Sequence, residues 1–197
     1  MTDASQSSPA AGALPPERHV PVMAHTVLDY LLTAEGTRYV DGTVGLGGHT
    51  ECILDAAPAA EVVGVDRDAS ILKEAENRLA RFGGRVTLTN GTYADMASIC
   101  NEHGWEAVDG VLLDLGVCSV HFDCAERGFS HRHDGPLDMR MDRRARTTAA
   151  EILNTATEEE LTRVIRDYGE ERKARRLARA IVERRTQRPW ARTNELA

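Results

Sequence analysis

The feature that most constrains the fold is a fourfold alternation of strand-like and helix-like segments before residue 117. The strand-like segments are 38–43, 60–68, 85–93 and 107–116, and helical spacing of apolar residues fills the intervals between them. Such an alternation predicts right-handed βαβ units in a parallel, doubly wound sheet with helices on its faces. The sequence therefore predicts the α/β class for this part of the chain.

The pattern changes after the fourth predicted strand. Residues 117–142 are polar and contain glycines, so we expect a long loop, and helical spacing dominates from Thr147 onward. Thr157, with Glu160 three residues later, has the spacing of a capping box at the start of a helix. No internal repeat is visible in the sequence.

These changes divide the chain into three segments. We expect a solvated tail over residues 1–18, which is rich in Ser, Ala and Pro. Residues 19–130 hold the predicted sheet, preceded by a short amphipathic helix over residues 19–32. Residues 131–197 form a separate helical unit in this prediction.

The composition narrows the class of protein. No apolar run approaches the roughly 20 residues of a membrane span, and the N-terminal residues lack the pattern of a secretory signal. The cysteines are scattered without C-x-x-C spacing, which argues against a zinc site or a disulfide framework. They are Cys52, Cys100, Cys118 and Cys124. We expect no bound metal and a reducing, cytoplasmic location.

The charge is unevenly distributed along the chain. Residues 1–130 hold 8 Lys and Arg against 19 Asp and Glu, whereas residues 131–197 hold 16 against 12. The acidic segment is unlike a binder of phosphate backbones, while the arginine-rich segment suits one. The alternative for the second segment is a solvated helical surface of mixed charge.

The glycine-rich segment "DGTVGLGGHT", residues 41–50, follows the first predicted strand and opens a helix. Glycines there let backbone N–H groups approach a ligand, and the helix dipole favours an anionic group. The dinucleotide fingerprint fails because Thr50 stands at its third glycine, and no P-loop pattern is present. The segment is similar instead to the D-x-G-x-G-x-G pattern of S-adenosylmethionine-dependent methyltransferases, with Thr43 in place of the first glycine. A tight turn that serves only packing is the alternative.

Polar residues lie near the ends of three of the predicted strand segments, at the edge where such sheets hold ligands. Asp66 is placed to accept both ribose hydroxyls of a nucleoside, or is a solvated acid at a strand end. Asp114 is placed to contact an amine, or is a structural carboxylate bound to loop N–H groups. Tyr93 is placed to flank an adenine ring, or packs only. Asp68 is expected to cap the next helix.

Eight phrases of the sequence, in this order, carry a resemblance to a known family. They are "HVPVM", "DGTVGLGGHT", "GVDRD", "GVLLDLGV", "ERGFS", "GPLDMRMD", "AAEILN" and "YGEERKARRLARAIVERR". Together they resemble the ribosomal RNA small subunit methyltransferase H family, the MraW-type proteins, over residues 19–197. The resemblance implies a Rossmann-like methyltransferase sheet, of which this chain holds the first four strands, with an inserted helical domain.

The resemblance also implies an activity and a site. Members transfer a methyl group from S-adenosylmethionine to the N4 amine of a cytidine in small-subunit (16S) ribosomal RNA, free or assembled in the small subunit, and no membrane partner is implied. Carried over position by position, the cofactor contacts fall on Gly47, Gly48, His49, Asp66, Tyr93, Asp114 and His121.

The catalytic roles are hypotheses. We expect Asp114 to orient the target amine in the catalytic step. We expect His49 or His121 to accept the proton after transfer, unless both serve as ligand contacts or structure. The phrase "LDMRMD", residues 137–142, and the arginines of residues 172–179 are candidates for RNA contact.

The sequence departs from the family at several positions. Where the family usually has "DLGVSSPQLD" this chain has "DLGVCSVHFD", so Cys118, Val120 and His121 replace Ser, Pro and Gln. Tyr93 stands where the family often has Phe. Family members also continue beyond Ala197, so we expect an exposed sheet edge and poor stability or association of the isolated chain.

Two other functions compete with the methyltransferase. One is a truncated, catalytically inactive RNA-binding or assembly remnant of the family, which would not bind S-adenosylmethionine. The other is a nicotinamide dehydrogenase, against which the failed third glycine and the "DLG" strand end both argue.

Overall fold

The computed structural model describes residues 21–197, so the tail predicted for residues 1–18 lies outside the described residues. Its sheet has four strands in the order β3-β2-β1-β4, and every pairing is parallel. The strands are β1 Arg38–Asp41, β2 Glu61–Asp66, β3 Val86–Asn90 and β4 Gly110–Leu112. The predicted α/β class and its Rossmann-like parallel sheet are confirmed.

The helices alternate with the strands and then follow them. They are α1 Ala24–Leu31, α2 Gly48–Ala56, α3 Ala69–Leu79, α4 Met96–Glu102, α5 Ser119–Asp123, α6 Ala149–Thr155, α7 Glu158–Asp167, α8 Ala174–Arg185 and α9 Thr193–Leu196. Short 3-10 turns lie at Ala80–Arg85, Tyr93–Asp95 and Ala125–Arg127. None of the helices within residues 21–197 combines the length and the apolar character needed to cross a bilayer.

Both faces of the sheet are covered, because alternate residues of a strand point to opposite faces. Tyr39 and Val62 are buried in one cluster with Ile53 of α2 and Leu79 of α3. Val40, Val63 and Val65 are buried on the other face with Ile99 of α4 and Trp105. Burial on both faces explains why these strands have nearly continuous apolar sequences.

The fourth strand is shorter than the predicted segment 107–116. Its ladder with β1 runs only from Gly110 to Leu112, because β1 ends at Asp41 and the chain then turns into the glycine-rich loop. One apolar row, which begins on β4 and continues beyond its end, has exposed side chains. That row consists of Val111, Leu113, Leu115 and Val117.

The expectation of one long loop over residues 117–142 is wrong in its first part. Residues Ser119–Asp123 form the short helix α5, followed by a 3-10 turn. The helix is started by a reciprocal cap, in which the N–H of Cys118 donates to Nδ1 of His121 at 3.1 Å. Cys and His are not the usual residues of a capping box, so the pattern does not stand out in the sequence.

The last four helices surround a third hydrophobic cluster. Leu161 of α7, Ala178 and Ile181 of α8, Leu137 and Trp190 are its buried members. The capping box predicted at Thr157 and Glu160 is present at the start of α7. On α8, Ala178 and Ile181 are buried, whereas Leu177 is exposed.

Candidate active site

The glycine-rich loop leaves β1 and enters α2 through two residues with positive φ. Gly45 has a φ of 51° and Gly47, the N-cap of α2, has a φ of 79°. A Cβ atom on Gly47 would lie 2.9 Å from Cδ1 of the buried Leu79, so space as well as conformation requires glycine there. The loop thereby places the first residues of α2 at the carboxyl ends of the strands.

A cavity of about 470 Å³ lies at the carboxyl ends of the strands, where parallel sheets hold their ligands. Its volume is within the range of small-molecule sites. Six of the predicted site residues line it, namely Gly48, His49, Asp66, Tyr93, Asp114 and His121. Gly47 does not line the cavity, and its position in the fold is the helix start described above.

Asp66 is the last residue of β2, and its carboxylate is oriented by backbone groups. Oδ2 accepts the N–H of Gly45 at 2.9 Å, and Oδ1 accepts the N–H of Asp68 at 2.9 Å. A carboxylate oxygen has two lone-pair directions, so each oxygen retains one for a ligand. Asp66 can therefore accept two further hydrogen bonds from a molecule in the cavity.

Asp41 and Thr43 connect the glycine-rich loop to β4, and the sequence had not indicated this role. Asp41 is fully buried and accepts the hydroxyl of Thr50 at 2.8 Å and the N–H of Thr43 at 3.2 Å. The hydroxyl of Thr43 accepts the N–H of Asp114 at 2.7 Å. The signal was available, since Thr43 occupies a position where the motif has glycine.

Burial changes the protonation of Asp41. Loss of solvent raises the pKa of its carboxyl to about 6, although the hydrogen bonds from Thr50 and Thr43 act in the opposite direction. The buried carboxyl lies behind the cavity and does not line it. Its role is to hold the loop and α2 together.

Asp114 and His49 lie next to each other in the lining of the cavity. The Asp114 side chain is 56% exposed, and its Oδ2 lies 3.9 Å from Nδ1 of His49. The other ring nitrogen, Nε2, is 2.9 Å from the carbonyl oxygen of Val22, and a carbonyl only accepts. Nε2 therefore carries the hydrogen, and Nδ1 of the neutral ring has a free lone pair directed toward the Asp114 side of the cavity.

His121 is bound on both ring nitrogens by the protein. Because Nδ1 accepts the N–H of Cys118, Nε2 carries the hydrogen and donates to Oδ2 of Asp68 at 3.0 Å. The ring is buried and contributes to the lining of the cavity. Of the two predicted proton acceptors, His49 has a nitrogen available and His121 does not.

Asp68 is the centre of a buried ionic cluster that sequence reasoning identified only in part. The predicted cap is present, since Asp68 accepts the N–H of Ser70 at 3.0 Å. Its carboxylate also contacts Nη1 of Arg127 at 2.6 Å, and both side chains are buried. Burial raises the pKa of Asp68, but hydrogen bonds from His121, Ser70 and Arg127 outweigh it and hold the pKa well below its ordinary value.

Arg127 extends the cluster to the "LDMRMD" segment. Its Nη2 donates to the carbonyl oxygens of Arg140 at 2.8 Å and Met141 at 3.2 Å. Met141 lines the cavity, whereas Met139 is exposed and has a φ of 57°. The segment is thus fixed to the end of β2 by one guanidinium, and Met139 is not a core residue.

The charge of the cavity lining is acidic. Asp66 and Asp114 contribute two carboxylates, and Arg67 is the one Lys or Arg among the described residues that line it. Tyr93 lines the cavity and is exposed. Among residues 21–197 there is no group of three or more His, Cys, Asp or Glu placed to hold a metal ion.

A basic surface lies apart from the cavity, on and just before α8. Its members are Arg172, Lys173, Arg175, Arg176 and Arg179, all exposed. Within the described part of the chain only Arg179 of this group forms an ion pair, with Glu183 at 3.8 Å. These cations are therefore available to a polyanion.

Comparison with known proteins places the chain in a family. The family model described as the MraW methylase family matches residues 17–197. The ribosomal RNA small subunit methyltransferase H of Thermobifida fusca is 48% identical over 99% of this chain and 60% of its own length. That of Geotalea daltonii is 51% identical over 91% of this chain and 58% of its own length. The chain thus spans about three fifths of the length of these relatives, and it belongs to the MraW methylase family.

Proposed function

We propose that this chain binds S-adenosylmethionine in the cavity and forms part of a cytoplasmic enzyme that methylates the N4 amine of a cytidine in small-subunit (16S) ribosomal RNA. The observation that carries the proposal is the convergence of Gly48, His49, Asp66, Tyr93, Asp114 and His121 on one cavity at the strand ends. The matched relatives are named as ribosomal RNA small subunit methyltransferases, which supports the substrate class.

The donor set suits this cofactor. Asp66 has one free lone-pair direction on each oxygen for the two ribose hydroxyls, and Tyr93 offers a ring to the adenine. The first N–H groups of α2 lack intrahelical partners and suit the carboxylate of the methionine part. Two carboxylates against one guanidinium favour a ligand with a cationic centre over a pyrophosphate.

The cofactor supplies an electrophilic methyl group on a positively charged sulfur. Asp114 accepts a hydrogen bond from the target amine and thereby orients its nitrogen, while the Thr43 hydroxyl holds the backbone of Asp114 in place. With the cofactor bound, the methyl group would pass from sulfur to the amine nitrogen, leaving a neutral thioether, and the nitrogen would then carry a surplus proton. His49 is placed to accept that proton at Nδ1, and the nearby Asp114 carboxylate stabilises the resulting cation.

In this proposal residues 131–197 are an inserted helical domain that contacts the RNA. Their own hydrophobic cluster and the basic surface on α8 support this role. Contacts between these cations and phosphates release counterions, so RNA affinity should fall as salt rises. The second candidate function is RNA binding by a catalytically inactive remnant of the family. It is favoured by the basic surface, which lies apart from the cavity and could bind RNA without the cofactor.

The test is transfer of a tritiated methyl group from S-adenosylmethionine to small ribosomal subunits, followed by nucleoside analysis for N4-methylcytidine. Asp114→Ala should lower the rate by about 10²-fold or more, the usual minimum for losing a group that positions or receives a proton. Asp55→Ala is the matched control, because Asp55 is a carboxylate of similar exposure on α2. Turnover by Asp114→Ala at the unaltered rate would refute the role of Asp114. RNA binding without any cofactor binding would favour the remnant.

A further inference from the structure

A second cavity, of about 420 Å³, lies beside the first, on the adjoining face of α5. Cys118 and His121, three residues apart, line the first cavity, whereas Ser119 and Phe122 line the second. Successive helical residues differ by about 100° in direction, so the two pairs face different sides of one helical turn. A single turn of chain, about 10 Å across with its side chains, therefore separates the cavities.

The wall between the cavities is held firmly. The His121 ring lies 4.9 Å from the Phe129 ring, with an angle of 38° between them, and Phe129 lines the second cavity. His121 is in turn fixed by Asp68 and by the N–H of Cys118. A ligand in the second cavity would meet a preformed surface whose position is tied to the first.

The lining of the second cavity combines an open aromatic ring with an unpaired cation. Phe122 is 41% exposed, which is unusual for a phenylalanine. Arg132 is exposed, and within residues 21–197 its guanidinium has no carboxylate partner. Ser119 and Ser130 add hydroxyls, and Asp123 is the acid of this lining.

We propose that the second cavity binds the base of an unpaired RNA nucleotide adjacent to the one that is methylated. The base stacks on Phe122, and the nucleotide's phosphate pairs with Arg132. Single-stranded RNA is recognised by such stacking on aromatic rings with cations along the backbone. The proposal rests on the proposed function, because the target nucleotide must occupy the first cavity for its neighbour to reach the second.

An apolar protein segment fits this lining less well. It would leave the guanidinium of Arg132 unpaired, whereas a nucleotide presents both a flat apolar face and an anionic group. The serine hydroxyls can in addition hydrogen-bond the edge of a base or a 2′-hydroxyl. The charge and the aromatic surface therefore select RNA as the occupant.

The test measures binding of the 197-residue chain to a fluorescein-labelled, ten-nucleotide oligocytidylate by fluorescence anisotropy. Phe122→Ala should weaken binding by about 5- to 150-fold, the range for one base–aromatic stack. Phe122→Trp should keep the affinity, and Phe122→Leu, which retains apolar volume without a ring, should lose it. Tyr30→Ala is the matched control, since Tyr30 is an aromatic side chain that is 89% exposed on α1 and lines neither cavity.

Arg132→Ala tests the phosphate contact separately. It should lower the slope of log affinity against log salt by about 1, as expected for one lost phosphate pair. Equal affinity of Phe122→Ala and the unaltered chain would overturn the proposal, as would wild-type affinity of Phe122→Leu or the absence of any binding by the unaltered chain.

A titration with S-adenosylmethionine separates this proposal from the proposed function. Phe122→Ala should bind the cofactor within about twofold of the unaltered chain, because Phe122 does not line the first cavity. If no variant binds the cofactor while Phe122→Ala still weakens RNA binding, the proposed function fails, and what stands is the stacking of an RNA base on Phe122 without its relation to a methylated nucleotide. If Phe122→Ala binds the cofactor and also binds RNA with the affinity of the unaltered chain, only the proposal for the second cavity fails.

Discussion

At the scale of single residues, burial and hydrogen bonding move the pKa values of two buried carboxyls in opposite directions. Asp41 is buried with only two hydrogen bonds from the neutral groups of Thr50 and Thr43, and its pKa rises to about 6. Asp68 is buried with a guanidinium, and its pKa falls. The pKa of a buried carboxyl therefore depends on whether a cation lies beside it.

Asp41 makes stability depend on pH in a defined window. Because its pKa in the folded chain lies above the ordinary 3.8, the folded chain binds more protons between about pH 4 and 6, and stability falls as the pH rises through that window. The full effect corresponds to about 3 kcal/mol. Asp41→Asn should remove this fall, as measured by urea unfolding at pH 4, 5, 6 and 7. An unchanged pH profile in Asp41→Asn would contradict the assignment.

Asp68 affects the stability of the fold in a lower pH range than Asp41 does. Its lowered pKa contributes stability that is present above the unfolded pKa, near pH 4, and is lost as the pH falls below it. The two carboxyls thus act on opposite sides of about pH 4. The Asp41→Asn comparison isolates the upper window.

Arg127 should be far more important to stability than a surface arginine. Arg127→Met leaves the buried Asp68 carboxylate without its cation, and removing one member of a buried ion pair costs about 3–5 kcal/mol. Arg166→Ala is the control, because Arg166 pairs with Asp167 at the surface and should cost about 1 kcal/mol or less. Denaturant unfolding at pH 7 measures both. Equal losses in the two variants would show that the buried cluster contributes nothing special.

At the scale of elements, the start of α2 depends on Gly47. Gly47→Ala must adopt a positive φ and also place a Cβ 2.9 Å from Leu79, whereas Gly104→Ala has a similar φ of 72° with no atom within 4 Å. Gly104→Ala should cost about 1–2 kcal/mol from conformation alone. Gly47→Ala should cost a further 1–3 kcal/mol, approximately, from the clash. Thermal and denaturant midpoints of the pair measure the difference, and identical midpoints would disprove the steric requirement.

Elements governed by local patterns were predictable from the sequence. The α3 face of Ile71, Leu72, Ala75 and Leu79 is buried as its spacing indicates, and the four parallel strands follow the alternation of segments. Helix α5 was missed because its cap uses Cys118 and His121. The length of β4 was overestimated because the end of its partner, β1, sets where its pairing stops.

The site was predictable where residues follow strand ends and unpredictable where distant residues meet. Asp66 and Asp114 are placed by the parallel topology, which the sequence indicates directly. The contact of Asp68 with Arg127 joins residues 59 positions apart, and no local pattern reports it. The hydrogen bond from Asp114 to Thr43, across 71 positions, is of the same kind.

At the scale of the whole molecule, the sheet has an apolar open edge. Among the described residues β4 is an edge strand, with Val111 exposed on it and Leu113, Leu115 and Val117 exposed in the segment that follows. Exposed edges with apolar side chains favour pairing with other chains. Poor stability or association of the chain therefore stays a prediction. The exposed apolar edge is the surface at which we expect the association to occur.

A substitution at this edge tests that prediction. Val111→Lys should reduce concentration-dependent association, because a charge on an edge strand opposes pairing. Leu177→Lys is the control, since Leu177 has nearly the same exposure, 45% against 46%, and lies on α8. Size-exclusion chromatography with light scattering over a tenfold range of concentration measures the association. A monodisperse monomer with a cooperative melt before any substitution would contradict the prediction.

The proposed function requires the acidic cavity at the strand ends to hold S-adenosylmethionine, a sulfonium nucleoside. The most direct measurement is isothermal titration of the chain with S-adenosylmethionine, in parallel with Asp66→Ala and the control Tyr30→Ala. We expect one bound cofactor per chain, loss of binding in Asp66→Ala and unchanged binding in Tyr30→Ala. No binding by the unaltered chain, or equal binding by Asp66→Ala, would contradict it.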